Sequence, residues 1–134
     1  FTQATTPVEA VDEASMVLML CNQYKISFPL YIDTEGAGGN GRADGLDVET
    51  RTAVCAAFCE TIENAGYTAG VYASKNWLMK KLEAEKLSPY SIWLAQYSGK
   101  PSYQGSYDMW QYTSAGTVDG ISTLVDFNVS YMDY

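Results

Sequence analysis

The sequence predicts an α/β fold with a parallel sheet, and three observations carry that reading. Helical and strand-like segments alternate along most of the chain, as they do in β/α units whose strands run in parallel. The 134 residues are enough for one domain with a real core, yet fall well short of the roughly 250 that a complete eight-stranded (β/α) barrel uses. No fixed-period repeat, low-complexity tract or linker divides the chain, so residues 1–134 read as one domain.

Thr6-Pro7-Val8-Glu9 opens the first helix. Thr6 is a capping residue, Pro7 takes the first helical position where its missing N–H costs nothing, and Glu9 completes a capping box. Val8, Val11, Ala14, Leu18 and Cys21 follow at helical spacing over residues 7–24, and the last turns are apolar nearly all round, which predicts deep burial. Residues 28–35 read as a strand, with Phe28, Leu30 and Ile32 on one face and Tyr31, Asp33 and Glu35 on the other. A second helix is predicted over 47–65, burying Val54, Phe58, Ile62 and Ala65 and stopped by Gly66. A short strand over 69–73 leads to a third helix capped by Ser74. Residues 91–97, 107–113 and 123–130 form three further predicted strands.

Composition removes several classes of function. Eight basic residues against sixteen acidic ones leave a formal charge of −8, the wrong balance for a protein that tracks nucleic-acid phosphates. No apolar run approaches the length of a membrane span. The start carries no signal-peptide pattern, so any export signal would have to lie upstream of Phe1. Without histidine, neither a Ser-His-Asp nor a Cys-His scheme is available, and acid–base chemistry falls to carboxylates, Tyr, Lys or Cys. Cys21, Cys55 and Cys59 lack a metal-binding spacing and read as buried thiols.

Gly36-Ala37-Gly38-Gly39-Asn40-Gly41 fits a G-x-G-x-x-G pattern after a predicted strand. A dinucleotide site needs a helix opening at the last glycine. Here Arg42-Ala43-Asp44-Gly45 follows, and Asp33 and Glu35 would repel a pyrophosphate, so the segment is predicted to be a flexible rim. Asp44 and Asp47 do not fit a calcium loop, and Asp47 is assigned to helix capping. No cofactor or metal is expected.

The informative pair is Asp33 and Glu35. Two residues apart on a strand, they share a face about 6.5–7 Å apart, at the carboxyl end where parallel α/β sheets place their sites. Repulsion and partial burial would hold one protonated beside an ionised partner, the arrangement that acid-catalysed glycoside cleavage uses. Asp126 is a lone acid in an otherwise apolar strand, which calls for a partner or a role. Tyr31, Tyr72, Trp93 and Trp110 lie within predicted strands and are candidate sugar-contacting rings.

Six segments in order resemble family 25 of the glycoside hydrolases, the lysozyme-like muramidases of bacteria and their phages. They are Ala4-Thr5-Thr6 before an acidic helix, Pro29-Leu30-Tyr31-Ile32-Asp33-Thr34-Glu35, Ala69-Gly70-Val71-Tyr72-Ala73-Ser74, Ile92-Trp93-Leu94-Ala95-Gln96-Tyr97, Met109-Trp110-Gln111-Tyr112-Thr113-Ser114, and Gly120-Ile121 through Val125-Asp126-Phe127-Asn128. The resemblance implies hydrolysis of the β-1,4 bond between N-acetylmuramic acid and N-acetylglucosamine in peptidoglycan, outside the cell or in its wall. It implies Glu35 as general acid, Asp33 as the group orienting the substrate's acetamido group or water, Asp126 as the last-strand aspartate of the pocket, and Tyr72 as a pocket tyrosine. The Asp33–Glu35 spacing exceeds the roughly 5–5.5 Å of a direct nucleophile and acid pair, so participation by the substrate's own acetamido group fits.

Members of that family begin with a strand bearing a further site aspartate and two more β/α units. The fold expected here is therefore an incomplete TIM-like (β/α) barrel that lacks the first three strands and retains strands four to eight. A second chain or an amino-terminal segment would complete it. The competing expectation is a truncated, non-catalytic fragment that at most binds the peptidoglycan glycan strand.

Overall fold

The computed structural model describes residues 1–134 as a mixed α/β unit with one curled five-stranded sheet. Helix α1 (Pro7–Cys21) precedes β1 (Leu30–Asp33), and α2 (Val48–Asn64) precedes β2 (Ala69–Ser74). A short α3 (Lys75–Lys80) and a 3₁₀ turn (Ala84–Leu87) lead to β3 (Ser91–Ala95). The chain ends in β4 (Met109–Gly116) and β5 (Val125–Ser130). The strands lie side by side in chain order. The first four are parallel, as predicted, but β5 runs antiparallel to β4. The physical reason is the connection: residues 117–124 are too few for the crossover that a parallel return requires.

The helix signals act as expected at each start. Thr6 accepts from the Glu9 N–H at 3.2 Å, Asp47 from Thr50 at 2.7 Å, and Ser74 from Trp77 at 3.1 Å. The capping box closes one residue early, because the Glu9 carboxylate takes the Thr5 N–H at 2.7 Å and then pairs with Arg42. Gly66 ends α2 at φ 91°, a backbone region that L side chains rarely adopt.

The core lies between α2 and one face of the sheet, where Val54, Phe58 and Ile62 meet Ile32, Val71, Ile92 and Leu94. Ala65, predicted to join that stripe, is exposed at the helix end. Cys55 and Cys59 are buried there too. Burial pushes the Cys55 thiol up to about 12, which leaves it protonated and unreactive. Cys21 is only half-buried, and all three cysteines are free.

Helix α1 corrects the sequence reading. Its buried residues are Ala10 and Ala14, while Val8 is 72% and Met19 67% exposed, and Val11, Met16 and Leu20 also face out. Of the predicted stripe, Ala14 is buried and Leu18 packs against the core, but Val8 and Val11 face out and Ala10 takes their place. The winning face carries two alanines, whose small side chains let α1 approach α2 closely, with Val17 and Leu18 at its margin. Met19→Gln is accordingly expected to change stability by less than ~0.5 kcal/mol. Ala14→Leu is expected to cost ~1–3 kcal/mol by overpacking. Urea denaturation of the two variants checks this contrast.

Candidate active site

The face of the sheet opposite α2 carries the polar and aromatic residues. Strand register puts Asp33, Tyr72, Trp93 and Met109 in one row across β1 to β4. The next row toward the carboxyl ends holds Ser74, Ala95, Gln111 and Asn128. One step the other way, Tyr31 lies over Gly70 and its hydroxyl meets Ser91 Oγ at 2.9 Å. A Cβ on Gly70 would collide with the Tyr31 ring and sit 2.7 Å from the Ser91 carbonyl oxygen, so only glycine fits beneath that ring.

The Trp93 indole stands between two of these rings, edge-on to Tyr31 at 5.3 Å and to Tyr72 at 5.0 Å. Its N–H donates to Asn128 Oδ1 at 2.8 Å, tying β3 to β5. Above this cluster, the Tyr72 and Tyr97 hydroxyls both donate to Gln111 Oε1, at 2.7 and 2.8 Å. Neither Gln111, Asn128 nor Tyr97 stood out in the sequence. The signal available for Gln111 was the one that singled out Asp126: a polar side chain inside a strand of large apolar neighbours.

Glu35 lies two residues past the end of β1, which is shorter than predicted, and is exposed. It opens onto a hollow of about 340 Å³ shared with Tyr72, Ser74, Ala95 and Tyr97. All five residues sit at the carboxyl ends of parallel strands or just beyond them. Asp33 lines a smaller neighbouring hollow of about 190 Å³, with Thr2, Glu13 and Tyr31 among its walls. The two carboxylates therefore adjoin without sharing one cavity.

They still sense each other. Burial, and then the charge of Glu35, push the Asp33 carboxyl up to about 6. Its Oδ1 is buried and accepts no hydrogen bond. Asp33 thus holds a proton into the mildly acidic range. The folded-state value lies above the unfolded carboxyl value of about 3.9, so the protonated group favours the fold at low pH and that advantage is lost as pH rises through about 6. Asp33→Asn, which never ionises, is expected to raise the melting temperature by a few degrees at pH 8. The gain should fade by pH 4, which thermal unfolding across that range checks.

Asp126 is exposed on β5 and is absent from the walls of the Glu35 hollow. Four strand spacings of ~4.8 Å separate β1 from β5 along the sheet, so only the curl of the sheet draws Asp126 toward the two acids. By register Trp110 pairs with Leu94, on the α2 side of the sheet. It packs on the core and its N–H donates to the Gln96 carbonyl at 2.9 Å. The structure therefore groups Tyr31, Tyr72 and Trp93 on the site face and sets Trp110 apart from them.

The glycine-rich segment, predicted as a flexible rim, is tied down. The Asp44 carboxylate accepts from the backbone N–H groups of Ala37 at 2.9 Å, Gly39 at 2.7 Å and Gly41 at 3.2 Å. These bonds, that of Ala37 first, hold the Asp44 carboxyl below its usual range. Beneath the loop the Arg51 guanidinium donates to the carbonyls of Ala43, Asp44 and Leu46. Backbone donors that would cradle a phosphate are thus already occupied by a side chain of the same loop. No group of three or more Cys, Asp and Glu side chains is arranged to hold a metal ion.

The model of glycosyl hydrolases family 25 matches residues 1–121. Among solved structures, the modular autolysin LytC from Streptococcus pneumoniae is 27% identical with a TM-score of 0.77, covering 93% of this chain and 31% of its own. LytC has also been solved in complex with a synthetic peptidoglycan ligand. The CTP1L endolysin is 25% identical with a TM-score of 0.76, covering 95% of this chain and 43% of its own. A family 25 glycosyl hydrolase from Bacillus anthracis, at 21% identity and a TM-score of 0.77 over 99% of this chain and 62% of its own, shares the fold. The chain thus spans less than half the length of LytC or CTP1L. No match was found among curated proteins.

Proposed function

Because the chain belongs to family 25 of the glycosyl hydrolases, we propose that it acts on peptidoglycan, cutting the β-1,4 bond between N-acetylmuramic acid and N-acetylglucosamine. The observation that carries this reading is Glu35 opening onto a sugar-sized hollow walled by Tyr72 and Tyr97 at the carboxyl ends of parallel strands. The autolysin LytC, which takes a peptidoglycan ligand, supports the choice of polymer.

On this reading Glu35 protonates the glycosidic oxygen as the bond from C1 breaks. The substrate's acetamido oxygen closes on C1, and water then opens that adduct with the Glu35 carboxylate as base. Asp33, which lines the adjoining hollow, orients the acetamido group or the water. Asp126 and Asn128 border the same face from β5, and Tyr31 and Trp93 form its aromatic floor. The five strands correspond to strands four to eight of a (β/α) barrel, the rest supplied by a further segment or a second chain. Action outside the cell or in its wall follows from the substrate.

A second reading, glycan binding without cleavage, draws on Asp126 standing outside the Glu35 hollow. Mass spectrometry of peptidoglycan incubated with the protein separates the two. New reducing ends on N-acetylmuramic acid support the muramidase. Reducing ends on N-acetylglucosamine refute the assigned bond, and retention on walls with no new ends leaves binding alone.

A further inference from the structure

We propose that Gln111 is a positioning residue of the Glu35 hollow, fixing Tyr72 and Tyr97 as hydrogen-bond acceptors toward it, so that the hollow selects ligands presenting N–H or O–H groups there. The choice of ligand rests on the glycan reading above; the hold on the two phenols does not.

Gln111 is only 4% exposed on β4. Tyr72 reaches it from β2 over β3, which offers only the methyl of Ala95 in that row, and Tyr97 from just past the end of β3. A phenol has a single proton, and each spends it on Gln111 Oε1. What remains for the hollow is the lone pairs of the two oxygens. Burial raises the Tyr72 phenol, with Tyr97 next and the carboxylates of Asp33 and Glu35 after it, so its proton stays in place to be donated. Tyr97 is 57% exposed, and such a side chain has several rotamers open to it. The bond to a buried acceptor selects one.

The residue type follows from the geometry. An amide oxygen has two lone pairs and accepts two donors at once without bringing a charge. Glutamate at this position would keep the double acceptor and add a third negative charge near Asp33 and Glu35. Methionine would fill the volume and accept neither phenol effectively.

The test uses the 134-residue chain, a trimer of N-acetylglucosamine as probe, and calorimetry with proton NMR. In the unaltered protein, two slowly exchanging phenolic protons should appear, assigned by their loss in Tyr72→Phe and Tyr97→Phe. Gln111→Met should lose both signals and bind the trimer about tenfold more weakly, while Gln111→Glu should retain the signals and most of the binding. Tyr97→Phe, at an exposed position that does not threaten the fold, should weaken binding several-fold.

A folded Gln111→Met that keeps both signals overturns the proposal, as does equal trimer binding by the unaltered protein and Tyr97→Phe. If the unaltered protein binds no trimer, the glycan reading falls instead. The phenolic signals then still decide whether Gln111 holds the pair.

Discussion

Replacing Glu35 with Gln is expected to slow the clearing of bacterial cell walls by ~10²–10⁴-fold, the usual weight of a positioned general acid. The amide keeps the size of the side chain and removes the proton that the leaving oxygen needs. Glu35 is exposed and makes no hydrogen bond that folding depends on, so the melting temperature should hold. Trimer binding should hold as well, because the tyrosines that wall the hollow are untouched. A turbidity assay of the variant beside the unaltered protein measures the effect. A residual rate within tenfold would remove Glu35 from the role assigned to it.

The largest stability effect is expected at Arg51. This residue is 1% exposed, bonded to the carbonyls of Ala43, Asp44 and Leu46 at 3.0–3.2 Å, and stacked 4.3 Å from the centre of the Trp77 ring. Arg51→Met would roughly conserve volume but strand three acceptors beneath the loop. Hydrogen bonds to charged groups contribute ~1.5–3 kcal/mol each and are not additive, so the net loss should be ~3–5 kcal/mol. For a chain of this size that lowers the melting temperature by ~10 °C or more. Circular dichroism on heating checks it, and a drop under ~3 °C would mean that water takes over the three carbonyls. Because the loop borders Glu35 and Gly36 packs near Trp77, lysis should decline together with stability.

Elements with strong local signals were legible in the sequence. The caps at Thr6, Asp47 and Ser74, the stop at Gly66, and all five strands were found because each depends on neighbours in the chain. What failed depended on partners far away. On α1 the expected burial holds at Ala14 and Leu18 but fails at Val8, Val11 and the last turn, because these are as apolar as the residues that are buried and only the packing of α2 against Ala10 and Ala14 breaks the tie. The antiparallel direction of β5 has a different source: strand spacing carries no direction, and only the short connection of residues 117–124 sets it. In the site, Asp33 and Glu35 were marked by spacing alone. Gln111 and Asn128 acquire meaning only when Tyr72 and Trp93 are brought to them from other strands. Trp110 shows the converse, since an aromatic residue within a strand carries no information about which side of the sheet it faces until the register is known.

The carboxylate of Asp44, seated among the loop's amides, also bears on how the protein meets its surroundings. A turn of this kind elsewhere waits for an external anion before it sets; this one carries a resident counter-charge at an effective concentration that no dissolved ion matches. Inorganic phosphate therefore finds these backbone donors already occupied and gains no foothold on the loop beside Glu35.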